Sequence, residues 1–290
     1  MTERQTILCL QGGGALAAYH VGVVRALREA GVVPTVVAAT STGALNAAVL
    51  CGHRANDPVA ALEAFWRDLG RPSWPFAPTL TTALGAFGNP AMYVPRGAWF
   101  GLANWDSLYD TAPLARTLAR HVDFERLEPR LILTATDLET GGVVVFDSAT
   151  QDLAGSHVLG ASALPPTFPA VAAETEAGEV HRCWDGSLAG VSPLEVALAR
   201  IPPEMVELAV VVDLFPQRGG VPTSMGEVGG RMLELLSADR SAAAAARLER
   251  TLWIRPERPE GATGAADFAS SAVRRREEAG YADTRAALAG

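Results

Sequence analysis

The sequence predicts an α/β fold in which a largely parallel sheet is covered by helices on both faces. Short apolar runs alternate along the chain with longer segments of helical periodicity. The apolar runs contain few polar residues, as is typical of strands that are buried on both faces. With 290 residues, of which 49% are hydrophobic, the chain can form a large core. It contains no internal repeat and no clear linker, so we expect a single domain over residues 1–290.

The first predicted strand and helix are joined by a loop of consecutive glycines. Thr6–Leu10 is an apolar run, and residues 15–30 carry apolar side chains at helical spacing before Gly31, which is placed as a C-cap. Between them, Gly12-Gly13-Gly14 can point successive backbone N–H groups at one anion. Such a loop suits either the phosphates of a dinucleotide or the oxyanion of an acyl-transfer transition state.

A dinucleotide loop also requires an acidic residue at the end of the second strand, where it binds the ribose. The spacing Gly12-x-Gly14-x-x-Ala17 fits that fingerprint, but the second strand ends in Ala39-Thr40-Ser41 without a carboxylate. The sequence therefore favours an oxyanion loop. A nucleotide- or anion-binding module, or a catalytically inactive one, that uses the Gly12–Gly14 loop stays open as the alternative.

A serine follows the second predicted strand at a tight turn into a helix. Val36–Ala39 is small and β-branched, and a run rich in Ala and Leu begins after Gly43. The spacing is that of a nucleophile elbow, Gly-x-Ser-x-Gly, with Ala39 in place of the first glycine. The turn would expose the Ser41 hydroxyl at the positive end of a helix dipole. The alternative is a buried serine that caps the helix.

Further elements continue the alternation of strands and helices. Strands are expected at residues 131–137, 142–147, 180–184 and 207–213, and helices at 57–69 and 113–121. From Met225 onward Ala, Arg and Glu predict helices, so we divide the chain into a core of about 6–215 and a helical C-terminal extension of about 216–290. Arg274–Arg276 are followed by two glutamates and are expected on a solvated face.

Residues 71–110 form an irregular segment rich in glycine, proline and aromatic residues. The segment either lines an apolar pocket for an acyl chain or packs its rings onto the core. Its aromatic residues are Trp74, Phe76, Phe87, Tyr93, Trp99, Phe100, Trp105 and Tyr109.

Composition excludes several classes of function. A net charge of −8 argues against nucleic-acid binding, and the absence of lysine excludes P-loop, Schiff-base and Ser-Lys mechanisms. Cys9, Cys51 and Cys183 lie in apolar runs without metal-ligand spacing and are expected to be inert buried thiols. No signal peptide and no apolar run of roughly 20 residues is found. We therefore expect a soluble, cytoplasmic protein whose contact with membranes is at most peripheral.

A serine nucleophile needs a base within hydrogen-bond reach. None of the five histidines follows Asp185, so the α/β-hydrolase order of Ser, acid and His is not met with Asp185 as the acid. His20 and His53 fall in helical patterns, whereas His157 and His181 stay open as bases but lack a surrounding motif. Asp185 precedes a glycine at the end of a predicted strand, so its carboxylate could act on Ser41 directly. The alternative is an ordinary turn aspartate.

In this order, the motifs resemble those of the patatin-like phospholipase family. Residues 12–19, Gly-Gly-Gly-Ala-Leu-Ala-Ala-Tyr, resemble its oxyanion loop, and residues 40–47, Thr-Ser-Thr-Gly-Ala-Leu-Asn-Ala, resemble its nucleophile elbow. Asp185-Gly186-Ser187 resembles its Asp-Gly-Gly or Asp-Gly-Ala turn, and residues 161–165 resemble the Ala-Ser-x-Ala-Pro-type stretch before that turn. The region around Val212–Pro216 is similar to a bacterial subgroup with a C-terminal extension.

The resemblance implies a three-layer α/β/α sandwich with a mostly parallel central sheet. It also implies a carboxylic ester hydrolase, of phospholipase A or lysophospholipase type, that cleaves lipid acyl esters without a metal or cofactor. Ser41 would be the nucleophile and Asp185 the proton acceptor. Gly43 and Gly186 support the two turns, and the oxyanion would be held by N–H groups of Gly12, Gly13, Gly14 and Ala15.

Four residues depart from the family pattern, and the mildest departure is Ser187 in place of the last Gly or Ala of the Asp-Gly turn. Leu16 replaces a basic residue that many members carry, and Ala17 and Ala39 stand where glycine is usual. If the backbone requires positive φ at Ala17 or Ala39, the added methyl group would strain the turn and weaken the activity.

Overall fold

The computed structural model describes residues 4–55, 57–71, 89–96, 105–215 and 220–290. Ten strands lie in these residues: β1 (Gln5–Leu10), β2 (Val36–Ala39), β3 (Val94–Pro95), β4 (Tyr109–Asp110), β5 (Arg130–Asp137), β6 (Val143–Asp147), β7 (Val171–Glu174), β8 (Val180–Asp185), β9 (Val206–Val212) and β10 (Thr251–Ile254). Eight of them form one sheet in the order β10-β9-β1-β2-β5-β8-β7, with β6 also paired to β5. Strands β10, β9, β1, β2 and β5 are parallel, and the rest of this sheet pairs antiparallel.

Helices cover both faces of this sheet. They are α1 (Tyr19–Glu29), α2 (Thr42–Gly52), α3 (Pro58–Leu69), α4 (Ala112–His121), α5 (Gly155–Ala161), α6 (Pro193–Leu198), α7 (Met225–Ser237), α8 (Ala242–Ala245) and α9 (Ser270–Ala289). Along β1, Leu8 and Leu10 join the larger core under α1–α5 and α9, whereas Ile7 and Cys9 join the smaller core with α6 and α8. The predicted three-layer α/β/α fold with a mostly parallel sheet is confirmed.

The chain beyond residue 216 does not form helices alone. Strand β10 extends the sheet by pairing in parallel with β9, so the prediction of a purely helical extension is wrong at Thr251–Ile254. These four residues are a short run of apolar and β-branched side chains, which favours a strand. Helix α9 packs along α1, where a methyl group on Gly22 would overlap the carbonyl oxygen of Glu277. The C-terminal segment is thus part of the main core.

Most of the predicted aromatic segment lies outside the described residues, including Trp74, Phe76, Phe87, Trp99 and Phe100. In the part that is described, the rings of Tyr93 and Tyr109 lie 4.7 Å apart, and Tyr93 lies 5.6 Å from Phe168. These rings pack against one another beside the β3–β4 ladder.

The cysteines agree with the expectation of inert buried thiols. Cys9, Cys51 and Cys183 are free and buried, and burial raises the pKa of the Cys183 thiol to about 11. A thiol with such a pKa stays protonated at neutral pH and is a poor nucleophile. Within the described ranges, no helix combines the length and the apolarity that crossing a membrane requires.

Candidate active site

Ser41 lies at the apex of the turn between β2 and α2. Its backbone has φ 56° and ψ −138°, and it is the one non-glycine residue of the described chain with a positive φ. Its N–H donates to the carbonyl oxygen of Ala161 over 2.8 Å. A methyl group on Gly43 would lie 2.6 Å from the carbonyl oxygen of Gln11, so the start of α2 packs directly on the residue that follows β1. This is the strained geometry of a nucleophile elbow.

Asp185 ends strand β8 and is fully buried. Its N–H donates to the carbonyl oxygen of Ala163 over 3.0 Å, and its own carbonyl accepts from the Thr136 hydroxyl over 2.9 Å. A methyl group on Gly186 would lie 2.5 Å from the Oγ1 of Thr40, and Thr40 is the residue before Ser41. The stretch from Ala161 to Ala163 therefore holds the backbones of both Ser41 and Asp185.

The carboxyl group of Asp185 has one oxygen engaged and one available. Oδ1 accepts from the Ser187 N–H over 2.9 Å, whereas Oδ2 has no hydrogen-bond partner among the described residues. Burial raises the pKa of Asp185, and the neighbouring Ser41 hydroxyl and Ser187 oppose that rise by favouring the charged form. A buried carboxylate with a free lone pair beside a hydroxyl is suited to accept a proton.

The histidines are engaged elsewhere in the fold. Burial lowers the pKa of His20 to about 3, and its Nδ1 lies 3.0 Å from the Asn46 side chain. His157 accepts from the Ala154 N–H over 2.7 Å at the start of α5. The remaining three contact other groups: His53 the carbonyl of Ala55, His121 the carboxylate of Asp68, and His181 those of Asp137 and Glu179. This leaves Asp185 as the candidate base.

The glycine loop lies against Ser41 at its first residue. A methyl group on Gly12 would lie 2.5 Å from the Ser41 Oγ. Gly14 has φ +55° and packs against the backbone of Ala265, and Ala15 is buried in the short 3₁₀ turn Gly14–Ala18. The N–H groups of Gly12 and Gly13 donate to no acceptor within the described residues. The loop thus brings backbone donors beside the Ser41 hydroxyl.

The strain considered at Ala17 and Ala39 is not present. Neither residue has a positive φ, and both are buried in regular structure, Ala17 in the 3₁₀ turn and Ala39 in β2. An alanine methyl group is therefore tolerated at both positions without backbone strain.

Residues 8–198, more than half of the chain, match the patatin-like phospholipase family. The chain belongs to this family.

Curated members of the patatin-like phospholipase family match shorter stretches. A patatin-like phospholipase domain-containing protein of Phaeosphaeria nodorum is 55% identical over 47 residues, and one of Pyricularia oryzae is 36% identical over 104 residues. Triacylglycerol lipase ptl2 of Schizosaccharomyces pombe is 45% identical over 58 residues. The matches cover 16%, 36% and 20% of this chain, but only 6%, 11% and 9% of the relatives' own lengths.

Among solved structures, the chain is similar to VipD from Legionella pneumophila, with 13% sequence identity and a TM-score of 0.42. The alignment covers 99% of this chain and 67% of the VipD chain.

The patatin-like match ends at residue 198, but residues far beyond it support the loop. Asp239 accepts from the Gln11 side chain, immediately before Gly12, and from the Ser241 hydroxyl over 2.7 Å. Nothing in the local sequence around Asp239 points to this contact.

Arg276 holds the loop from the other side. Its guanidinium donates to the Ala15 carbonyl over 3.2 Å and to the Gly264 carbonyl over 3.1 Å, and it pairs with Glu260. It is 3% exposed, so the prediction that this arginine lies on a solvated face is wrong. The helical phase is the signal that could have found it, because Arg276 lies four residues from both Ala272 and Gly280 on the buried face of α9.

A narrow cavity of about 30 Å³ opens beside Ser41. This is the space of one water molecule, so an acyl chain must lie outside it or displace its wall. No group of three or more His, Cys, Asp or Glu in the described chain is arranged to hold a metal ion. The cavity is lined by Gln11, Gly12, Thr40, Ser41, Ser187, Gly190, Val191, Ser192, Pro193, Leu236, Ser237, Ala238 and Arg240.

Proposed function

We propose that this patatin-like protein is a serine acyl hydrolase that cleaves lipid acyl esters with a Ser41–Asp185 dyad. The observation that carries the proposal is the strained turn of Ser41, whose hydroxyl lies beside a buried carboxyl group with one unpartnered oxygen. Family membership supports a hydrolase of lipid esters. An anion-binding module without catalysis would not require this strained serine.

In the first step, Ser41 Oγ attacks the carbonyl carbon of the ester while its proton passes to Asp185. The tetrahedral intermediate collapses, the ester C–O bond breaks, and the leaving alkoxide takes the proton from Asp185 as it departs as an alcohol. An acyl-serine remains. Water then attacks this acyl group and gives a proton to Asp185. Release of the carboxylic acid returns that proton to the Ser41 oxygen.

The glycine loop would stabilise the negative oxygen of each tetrahedral intermediate. Backbone N–H groups from Gly12 to Ala15 are the proposed donors, and Gly12 lies against the Ser41 side chain. Loss of a single oxyanion donor typically lowers kcat by about 10²–10³-fold. The donors are backbone groups, so the missing basic side chain at Leu16 does not remove them.

The proposal also covers the type of lipid ester and the subgroup of the family. Phospholipase A or lysophospholipase activity is proposed from the resemblance of the motifs, whereas one relative is named a triacylglycerol lipase. Membership of a bacterial subgroup with a C-terminal extension is proposed on Val212–Pro216, although the relatives reported above are fungal.

The test is hydrolysis of p-nitrophenyl esters of increasing chain length by the purified protein. Ser41→Ala and Asp185→Asn should each lower kcat/KM by at least about 10³-fold while the circular dichroism spectrum is kept. Asp152→Asn is the matched control, because this aspartate is exposed. Hydrolysis that survives Ser41→Ala, or a wild type that is inactive at every chain length, would overturn the proposal.

A further inference from the structure

One charged side chain lines the cavity beside Ser41. Among the described residues that form its wall, Arg240 is the only one that carries a charge; the others are apolar, hydroxyl-bearing, amide-bearing or glycine. Arg240 follows α7, outside the stretch that matches the family. Its presence is therefore not explained by the motifs that define the reaction.

The guanidinium of Arg240 is held in place but not neutralised. Its Nη1 donates to the Gly190 carbonyl over 3.1 Å, which occupies one of its donors. No carboxylate of the described chain pairs with it. The adjacent Asp239 is buried and accepts from Gln11 and Ser241. Arg240 thus keeps N–H donors and a full positive charge at an exposed position on the wall.

An unpaired arginine at such a place is suited to one class of ligand group. Its planar fork of N–H donors matches the oxygens of a phosphate or carboxylate, and the charge-assisted bonds are stronger than those between neutral groups. In a glycerolipid, only a few bonds separate an acyl ester carbonyl from a phosphate on the same glycerol. A phosphate-bearing substrate whose carbonyl reaches Ser41 therefore brings its phosphate to the wall of the same cavity.

We propose that Arg240 is a specificity-determining residue that binds a phosphate on the glycerol of the ester, so that phosphate-bearing glycerolipids are hydrolysed in preference to neutral ones. This inference rests on the proposed hydrolase function. The hydroxyls of Ser187, Ser192 and Ser237 on the same wall provide neutral polar surroundings for the phosphate.

The experiment compares two substrates that differ only in the phosphate: monohexanoylglycerol and monohexanoylglycerol 3-phosphate. Both are short enough to be tested as monomers, so binding to a lipid surface does not contribute. The wild type should have a higher kcat/KM for the phosphate ester. Arg240→Gln should lower that preference by about 10-fold or more, mainly through KM, and Arg240→Lys should restore part of it.

The controls separate recognition from structure. Arg247→Gln removes an exposed arginine from the same segment and should leave the preference unchanged. If Arg240→Gln slows both substrates equally, Arg240 acts only by holding Gly190, and the inference is wrong. It is equally wrong if the wild type shows no preference while Ser41-dependent hydrolysis persists, in which case the hydrolase function stands. Absence of Ser41-dependent hydrolysis of both substrates would overturn this inference, and together with inactivity toward p-nitrophenyl esters of every chain length it would overturn the proposed function as well.

Discussion

Gly12 lies directly against the side chain of Ser41, and a methyl group at this glycine would lie 2.5 Å from the serine Oγ. Gly12→Ala should therefore displace the hydroxyl or the loop. Because displacements of about 1 Å in a catalytic site can cost about 10²-fold in rate, we expect kcat/KM for an acyl ester to fall by at least that factor.

The matched control for Gly12→Ala is Gly220→Ala, since a methyl group there meets no heavy atom within 4 Å. It should keep wild-type activity. Full activity in Gly12→Ala would mean that the site tolerates the movement of Ser41, and the proposed geometry would be wrong.

The strained backbone of Ser41, at φ 56° and ψ −138°, should lower the stability of the protein. Backbone strain of this kind costs about 1–3 kcal/mol, and glycine relieves it. Ser41→Gly should be more stable than Ser41→Ala by about that amount in urea unfolding, and both variants should be inactive. Equal stability of the two variants would show that the turn carries no strain.

In the proposed mechanism, the raised pKa of Asp185 sets the pH dependence of the reaction. The carboxyl group must be ionised to accept the serine proton, so kcat/KM should fall as the pH drops through the raised pKa. The acid limb of the profile should lie above the ordinary aspartate value of about 3.9. A limb at or below that value would contradict the role of burial.

The same shift predicts a pH-dependent stability difference. A buried acid with a raised pKa binds its proton more tightly in the folded state, so its contribution to stability is lost as the pH rises from the unfolded to the folded pKa. Asp185→Asn should therefore stabilise the protein at pH 8 and have little effect below both pKa values. Urea unfolding of the wild type and of Asp185→Asn, at pH 8 and at a pH below both pKa values, measures the difference.

Arg276 is buried and holds the carbonyl of Ala15, so its removal should weaken both the fold and the loop. Arg276→Gln removes the donors to the Ala15 and Gly264 carbonyls as well as the partner of the exposed Glu260, and leaving a buried acceptor without a donor costs about 1–3 kcal/mol. The neighbouring Arg275 is exposed, and Arg275→Gln should be neutral. Similar unfolding midpoints for both variants would contradict the structural role of Arg276.

The contact of α1 with α9 leaves no space for a side chain at Gly22. Gly22→Ala should force the helices apart and destabilise the protein by about 1–3 kcal/mol, as overpacking does. In the helix α7, Gly229 has open space around it, and Gly229→Ala should be neutral or stabilising by up to about 1 kcal/mol. Urea unfolding of both variants provides the comparison.

The parts of the fold that could be predicted are those with local signals. The strands around Thr6–Leu10 and Leu131–Asp137 are mostly apolar. Asp57 caps the predicted helix before Pro58 by accepting from the Val59 N–H over 3.3 Å. The candidate site was also predictable in outline, because each of its turns, at Gly12–Gly14, Ser41 and Asp185, is a short motif at the end of a strand.

The support around the site could not be predicted, because it depends on contacts between distant residues. Gln11 and Asp239 are separated by 228 positions, and Ala15 and Arg276 by 261. No periodicity or motif links such pairs, and their geometry exists only once the sheet and α9 are assembled. Arg240 is a further example, because its position on the cavity wall follows from the path of the chain after α7.

The family match ends at residue 198, yet the sheet continues through β9 and β10, and α9 covers α1. A protein truncated at that boundary would leave β1 as an open edge and uncover the side chains that α9 shields. Exposed strand edges pair with other chains, so the truncated product should aggregate. The segment that matches the family is thus shorter than the unit that must be expressed. A protein produced for purification should therefore include α9.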